Sequence, residues 1–284
     1  MDFLLASLID GLLIGSVYGL AAMGLTLIWG VMRVTNLAHG AFIALGMFGV
    51  YGLFNGGFNP YVGLFLVAGC GLLVGIGIYY VALHRVINAP QLSTLLATFA
   101  VNMIILGVGT TLFSTSPRTI DFSLGSFSLG PITVQNTRLL AAFASGAITG
   151  VLYLFLYRTR PGKYIRAVSS NRAAAELMGI SSTHILALSF GLGALLAATA
   201  GGLIATFFPF TILSGDTYQL KSFVIGVMGG LGNPFGALIG GLILGLLEGL
   251  IPVVMPTTWV PVIEFLLFVI ILLVRPNGIL GAKR

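Results

Sequence analysis

The sequence predicts an all-α, polytopic membrane protein, and three observations carry that expectation. The 284 residues are 57% hydrophobic, with a mean hydropathy of +1.08. Only 7% are charged, against about 25% in an ordinary soluble domain. The apolar runs are continuous and rich in Gly and Ala, whereas the strands of a membrane barrel alternate apolar and polar side chains. Nearly every residue falls in or beside a bilayer, so residues 1–284 read as a single transmembrane domain.

A helix needs about 20 apolar residues to cross a hydrocarbon core. Such runs recur at 4–29, 36–54, 61–83, 91–113, 139–157, 184–208, 218–231, 236–250 and 259–274. The expectation is nine membrane segments, or eight crossings if the short 218–231 is a re-entrant half-helix. The first run has no basic leader and no cleavage site, so it reads as a span rather than a removable signal. The formal charge of +6 does not point to nucleic acid, because the cations sit at the ends of spans. An excess of Lys and Arg marks cytoplasmic loops, which places 158–183 inside. Counting outward from there puts Arg33 and the His84–Arg85 turn inside. Asn55–Pro60, the loop 114–138 and the acidic start "MDFLLASLID" fall outside, and "RPNGILGAKR" at the C-terminus falls inside. The loop 114–138 alternates Phe122, Leu124, Phe127 and Leu129 with Ser and Gly, as a short hairpin or an amphipathic cap would. Cys70 lies mid-span with no second cysteine to pair with.

The chain carries one internal echo. "GVMRVTNLAHGAFIALGMFG" (30–49) aligns without gaps on "GVMGGLGNPFGALIGGLILG" (226–245). Each reads as an apolar half, a polar or Gly-rich break and a small-residue helix, the kind of discontinuous element from which transporters build sites and gates. Asn36 is expected to cap the helix that carries His39 and Gly40. The corresponding break runs through Gly229, Gly232, Pro234 and Gly236. These seven residues are the candidates for a translocation path or gate, lined by "GAFIALG" and "GALIGG". Plain helix packing accounts for Gly236–Gly240 and Gly241–Gly245 equally well.

The inventory of reactive groups is not that of an enzyme. The sequence has no G-x-x-x-x-G-K-[ST] phosphate loop, G-x-S-x-G elbow or H-E-x-x-H pair. His39, His84 and His184 are far apart, so no metal site is expected. Asp2, Asp10, Asp121 and Asp216 are placed toward the outer face. Glu248 and Glu264 are nearer the membrane, where an ionisable side chain is expensive; their positions toward the outer ends of spans also suit plain solvation.

Residues 157–181, "YRTRPGKYIRAVSSNRAAAELMGIS", interrupt this apolar chain with Arg158, Arg160, Lys163, Arg166 and Arg172. Pro161–Gly162 is expected to end the preceding helix. Asn171 is a good N-cap for a two-turn helix from Arg172 to Met178, Gly179 a good C′ stop, and "SST" (181–183) a cap for the next span. Two turns of helix are not stable alone in water. A basic loop on lipid headgroups needs no capped, alanine-faced helix, so the segment points to a socket on a separate motor.

Three stretches, 24–51, 159–181 and 224–248, with "RPNGILG" (275–281) at the end, give the chain its resemblance to the smaller permease of branched-chain amino-acid type ABC importers of bacterial inner membranes. The resemblance implies a heterodimer with a related larger permease, two cytoplasmic ATPases that bind the ATP, and an external solute-binding protein. It also implies a coupling role for Gly162, Arg166, Ala167, Asn171, Ala175, Gly179 and Ile180, and Arg172 and Glu176 on the same short helix join them as candidates. After "AHG" such permeases often carry an acidic residue, and Ala41 stands here instead, which removes one handle on the solute. Relatives import urea, short amides or aromatic acids as well as amino acids. The rival classes are a self-contained channel or secondary transporter, for which buried acid–base pairs are scarce, and a purely structural membrane subunit.

Overall fold

A computed structural model describes residues 2–129, 132–275 and 277–281. The last three residues of the expected C-terminal segment, with Pro276, lie outside them. The order of elements is α1 (Asp2–Met32), α2 (His39–Asn55), α3 (Pro60–Ile78) continued by a π-turn (Tyr79–Leu83), α4 (Gln91–Phe113), a hairpin of β1 (Ser126–Leu129) and β2 (Ile132–Gln135), and α5 (Asn136–Arg158). Then come α6 (Arg160–Ser170), α7 (Arg172–Leu177), α8 (Ser182–Ala205), α9 (Ser214–Gly229), α10 (Pro234–Val254), a 3₁₀ turn (Thr257–Trp259) and α11 (Val260–Val274). The antiparallel hairpin pairs Phe127 with Val134, so the all-α expectation holds apart from one extramembrane turn of sheet.

Seven helices among the described residues are long and apolar enough to cross a membrane. The two other expected segments form helices but shorter ones. α2 has 17 residues and α9 has 16, or about 25 Å at about 1.5 Å per residue, against a core of about 30 Å. The hairpin end of the bundle gathers Asn55–Pro60, the turn 205–213 and the 3₁₀ turn. The opposite end carries α6, α7 and residues 275–281.

α1 and α8 form the interior. Their most apolar windows are 78% and 83% buried, against 11–33% for the other five spans. Lipid tails are as apolar as Leu, so helices associate through close packing rather than hydrophobic exclusion. The sequence supplies small residues for that packing. Gly11, Gly15 and Gly19 form a stripe on α1 that meets Gly249, Gly245 and Gly241 of α10. A Cβ on Gly11 would lie 2.5 Å from the Gly245 carbonyl oxygen, and one on Gly15 2.6 Å from that of Gly241. On α8, Gly191 abuts Leu72 of α3, Gly193 abuts Gly24 of α1, and Gly201 abuts Ile43 of α2.

α4 and α5 are built inside out. α4 buries Thr94, Thr98, Asn102 and Gly109 while exposing Leu92, Leu96, Ile104 and Leu112. α5 buries Thr137, Ala141, Ser145 and Thr149 at four-residue spacing and exposes Phe143 and Val151. Buried hydroxyls in such helices bond to the preceding turn or across to a neighbour: Ser145 Oγ reaches both the Ala142 carbonyl (2.8 Å) and Ser16 Oγ (3.0 Å).

The α1–α10 contact yields a direct test. A valine at Gly241 drives side-chain carbon into the backbone of α1, an overpacking that costs about 1–3 kcal/mol and lowers the apparent Tm of the detergent-solubilised protein. Gly77→Ala, where a Cβ meets nothing within 4 Å, leaves Tm unchanged.

Candidate functional site

The polar loop between α5 and α8 is two helices joined at Asn171. Thr159 caps α6, its hydroxyl accepting from the Gly162 N–H at 3.2 Å, and Pro161 sits in the first turn. Pro161–Gly162 therefore starts a helix rather than ending one. Proline is tolerated in the first turn because its missing N–H has no partner there anyway. Gly162 packs on Phe155 and Leu156 of α5 so closely that no side chain would fit. Ile165 and Val168 are buried, and Ser169 Oγ donates to the Gly30 carbonyl at 2.7 Å, tying α6 to the end of α1. Arg166 stacks on Tyr157 at 4.4 Å, with Ala167 behind it, half-buried.

Asn171 caps α7 as expected, accepting from the Ala174 N–H at 3.0 Å. Ala175 is the buried residue of the helix. Gly179 takes φ +80° and closes the turn, letting the Ile180 N–H reach the Ala175 carbonyl at 3.1 Å. Arg172 binds Glu176 (3.1 Å) and Asn88 (3.0 Å). Ser181 occupies the cap position of α8, but its hydroxyl pairs with His184 at 2.8 Å, and Ser182 donates to Glu176. Leu177 and Met178, at the tip, are 88% and 82% exposed.

The first break lies deeper than the sequence indicated. α1 ends at Met32, with Arg33 in a left-handed conformation (φ 56°), and the chain returns into the bundle before α2 begins at His39. His39 Nε2 bonds the Ala21 carbonyl at 2.9 Å, about 16 Å along α1 from its end at about 1.5 Å per residue. Asn36 does not cap α2: its Oδ1 accepts from the Ala38 N–H in a local turn ahead of the helix, and Ala38 holds the cap position. The loop is held by Thr98 of α4, which accepts from the Leu37 N–H at 3.2 Å. The Gly40 N–H donates to Gln219 Oε1 at 2.9 Å, and Gly40 meets Gly215 backbone to backbone. The starts of α2 and α9 thus abut inside the bundle. Asn36, His39 and Gly40 are fully buried.

The second break, Gly230–Asn233, stays at the α6–α7 end. Gly229 and Gly236 touch through their backbones, Gly232 lies against Gly30, and Asn233 caps α10, with Pro234 in its first turn. The tail completes it: the Ile279 and Leu280 N–H groups bond the Met228 and Gly229 carbonyls at 2.8 and 3.2 Å. The second break meets the end of α1, where Gly30 faces Gly232, and Gly232 lines a cavity there with Arg33 and Asn233, whereas Asn36–Gly40 packs on α9 instead. "GAFIALG" is filled by helix packing, and in "GALIGG" the glycines pack on α1 and α9 while Ile239 is exposed.

Sequence reasoning missed a charged cluster. Lys221 of α9 binds Glu248 of α10 at 2.6 Å and lies 3.8 Å from Glu264 of α11. Tyr18 donates to Glu248 at 3.3 Å, and Lys221 sits over its ring at 4.7 Å. Toward the hairpin end, Arg138 binds Asp10 at 2.7 Å. Glu248 and Glu264, read as solvated, are thus partners of a lysine, and the scarcity of buried acid–base pairs no longer argues against an ion-coupled transporter. Lys221 stood inside an expected membrane segment, but nothing in the sequence said which acids it meets.

The fold and these features define a multi-pass helical membrane permease. The chain belongs to the family described as branched-chain amino acid transport system permease component, whose profile matches residues 7–272. It is 31% identical to the high-affinity branched-chain amino acid transport system permease protein LivH of Salmonella typhimurium, over 98% of this chain and 96% of that one. It is 29% identical to BraD of Pseudomonas aeruginosa (98% and 95%) and 32% identical to a probable LivH of Methanocaldococcus jannaschii (78% and 72%).

The α7 contacts make a pH prediction. The Ser182 hydroxyl and the Arg172 guanidinium hold the Glu176 carboxyl below the usual glutamate range. A depressed carboxylate supports its element above that range, and the support is lost as pH falls through the lowered value. Amide exchange at Ile180, corrected for its intrinsic rate, should therefore quicken on acidification. Glu176→Gln should show the faster exchange already at neutral pH.

Proposed function

We propose that this chain is a membrane-spanning subunit of an ATP-driven ABC importer of the bacterial inner membrane, paired with a related larger permease. Two cytoplasmic ATPases bind and hydrolyse the ATP, an external binding protein delivers the solute, and this chain catalyses no reaction. Branched-chain or similar apolar amino acids are the solute class that the family description and the named relatives favour.

The observation that carries the reading is the tip of α7. A six-residue helix, capped at one end by Asn171 and closed at the other by Gly179, holds Leu177 and Met178 out from its own chain. Two adjacent large apolar side chains so exposed on a basic, extramembrane element fit an apolar groove on another subunit. The cations Arg85, Arg158, Arg160 and Lys163 on that side match the positive-inside rule, so the groove is cytoplasmic. Gly162, Arg166 and Ala167 then hold α6 to the bundle, and Ala175 and Ile180 seat α7 on it.

Three experiments test this. Gly179→Val forces a β-branched residue into a left-handed backbone at about 1–2 kcal/mol, in open space where it clashes with nothing. ATP-driven leucine uptake by the reconstituted complex should fall while insertion and assembly with the larger permease persist, and Gly179→Asn, which tolerates that backbone, should retain uptake. Full uptake by the valine variant would defeat the coupling role. Separately, Leu177→Asp with Met178→Asp should release the ATPases from the purified complex. The isolated chain should take no label from a photoreactive ATP analogue, and labelling would overturn the division of labour.

A further inference from the structure

The charged cluster lies on the wall of a cavity, and this is where the structure goes beyond the family description. The cavity, about 470 Å³, opens among α1, α9, α10 and α11, within the range of about 300–1,000 Å³ usual for small-ligand sites. Asp10 and Arg138 lie toward the hairpin end, and Lys221, Glu248 and Glu264 deeper. Glu248 is about 9 Å along α10 from its hairpin-side end and Glu264 about 6 Å along α11 from the same side, at about 1.5 Å per residue, which places the acidic floor in the outer third of the bundle. Phe208 lines this cavity and also the larger one of about 590 Å³ under the hairpin, so the two adjoin at one aromatic ring, on which Arg138 rests at 5.6 Å.

The polar atoms are not balanced within the protein. Three acidic side chains face two basic ones across the cavity, one acid in excess. Lys221 is taken by Glu248 at 2.6 Å. Glu264, only 5% exposed, has its Oε1 3.8 Å from Lys221 and without a hydrogen-bond partner, and one Asp10 oxygen also has none. Arg138 spends one nitrogen on Asp10 and buries its Nε without an acceptor. Leaving buried polar atoms unpaired costs about 1–3 kcal/mol each, and more when they are charged, so a cavity whose lining side chains keep an unmet donor and unmet acceptors just behind its surface favours a molecule that brings both. A simple cation would answer the excess acid and leave Arg138 unpaired. A simple anion would answer Arg138 and worsen the excess.

We propose that this cavity is a transit site for a small zwitterion, with the Arg138 guanidinium on the side of its carboxylate and Glu264 on the side of its ammonium group. Ile14, Val260 and Pro252 supply apolar wall for an aliphatic side chain. The site lies away from the two glycine breaks, and Phe208 with the Asp10–Arg138 pair separates it from the outer cavity. The proposal rests on the permease reading above and adds where, and by which groups, the solute is held.

The test is differential thiol labelling of the assembled complex. Thr217 lines the cavity and is exposed on α9, so Thr217→Cys is placed in a Cys70→Ala background and labelled, without nucleotide, by a cationic and by an anionic methanethiosulfonate. The cationic reagent should react at least several-fold faster, and Glu264→Gln should abolish that preference. L-leucine should slow labelling, whereas isoamylamine and isocaproate, each carrying one of its two charged groups, should not. Equal rates for the two reagents, or no slowing by leucine, overturns the site whatever uptake assays return. Equal slowing by the amine overturns the zwitterion in favour of a cation site. Absence of ATP-driven leucine uptake by the unmodified complex, with slowing intact, would instead refute the substrate reading and leave the site standing.

Discussion

The bundle depends on backbone-to-backbone approach along α1. In a bilayer the apolar side chain gains nothing by leaving lipid for protein, so packing contacts must hold the helices together. The stripe Gly11–Gly15–Gly19 lets α10 lie against α1, and Gly24 with Gly193 lets α8 do the same on another side. With α1 so enclosed, its neighbours can expose apolar faces and turn hydroxyls inward, as α4 and α5 do. The inward polarity is then available to satisfy backbone that is not helical. Thr98 binding the loop ahead of α2 is the clearest case, since irregular backbone at membrane depth is tolerated only where protein or a water-filled cavity surrounds it.

The same constraint explains which parts of the fold could be read in the sequence. Composition and run length decide a membrane helix, and nine apolar runs did become nine helices. Caps are also local: Asn171 and Gly179 bracket α7 because the Asn side chain reaches only its own next turn and Gly alone enters the left-handed region freely. Pro161–Gly162 was ambiguous by nature, since the pair can open a helix or close one. Thr159 and the tight seat of Gly162 on α5 settle it, and the second of these is tertiary. The depth of the Asn36–His39 break was hidden for a like reason. A short polar stretch after a basic residue looks the same at a membrane face as it does folded back to Ala21.

The charged cluster shows the other limit. Glu248 and Glu264 stand near the outer ends of their runs, and each alone reads as a solvated group. Lys221 sits in a helix whose start is set by the abutment of Gly215 on Gly40, not by its own hydropathy. Only that abutment brings Lys221 level with Tyr18, Glu248 and Glu264. One signal was present: Lys221 falls within the expected membrane segment 218–231, and an intramembrane charge needs a partner.

The internal echo acquires a physical meaning once both breaks are seen. Each follows a Gly-Val-Met helix end and precedes a helix whose first turn carries a glycine in backbone contact, Gly40 on Gly215 and Gly236 on Gly229. They differ in what holds them. The first is fixed by side chains from α4 and α9 deep in the bundle. The second is fixed at the α6–α7 end by the tail, through Ile279, Leu280 and Asn233. Gly30 joins them, since it touches Gly232 and accepts the hydroxyl of Ser169 from α6. On the proposed reading, a displacement of α6 and α7 by an ATPase therefore arrives first at the end of α1. The α9–α10 break can shift there at little cost because its contacts are glycine on glycine. The deeper break, pinned by His39 and Gln219, must move with the helices that hold it or not at all.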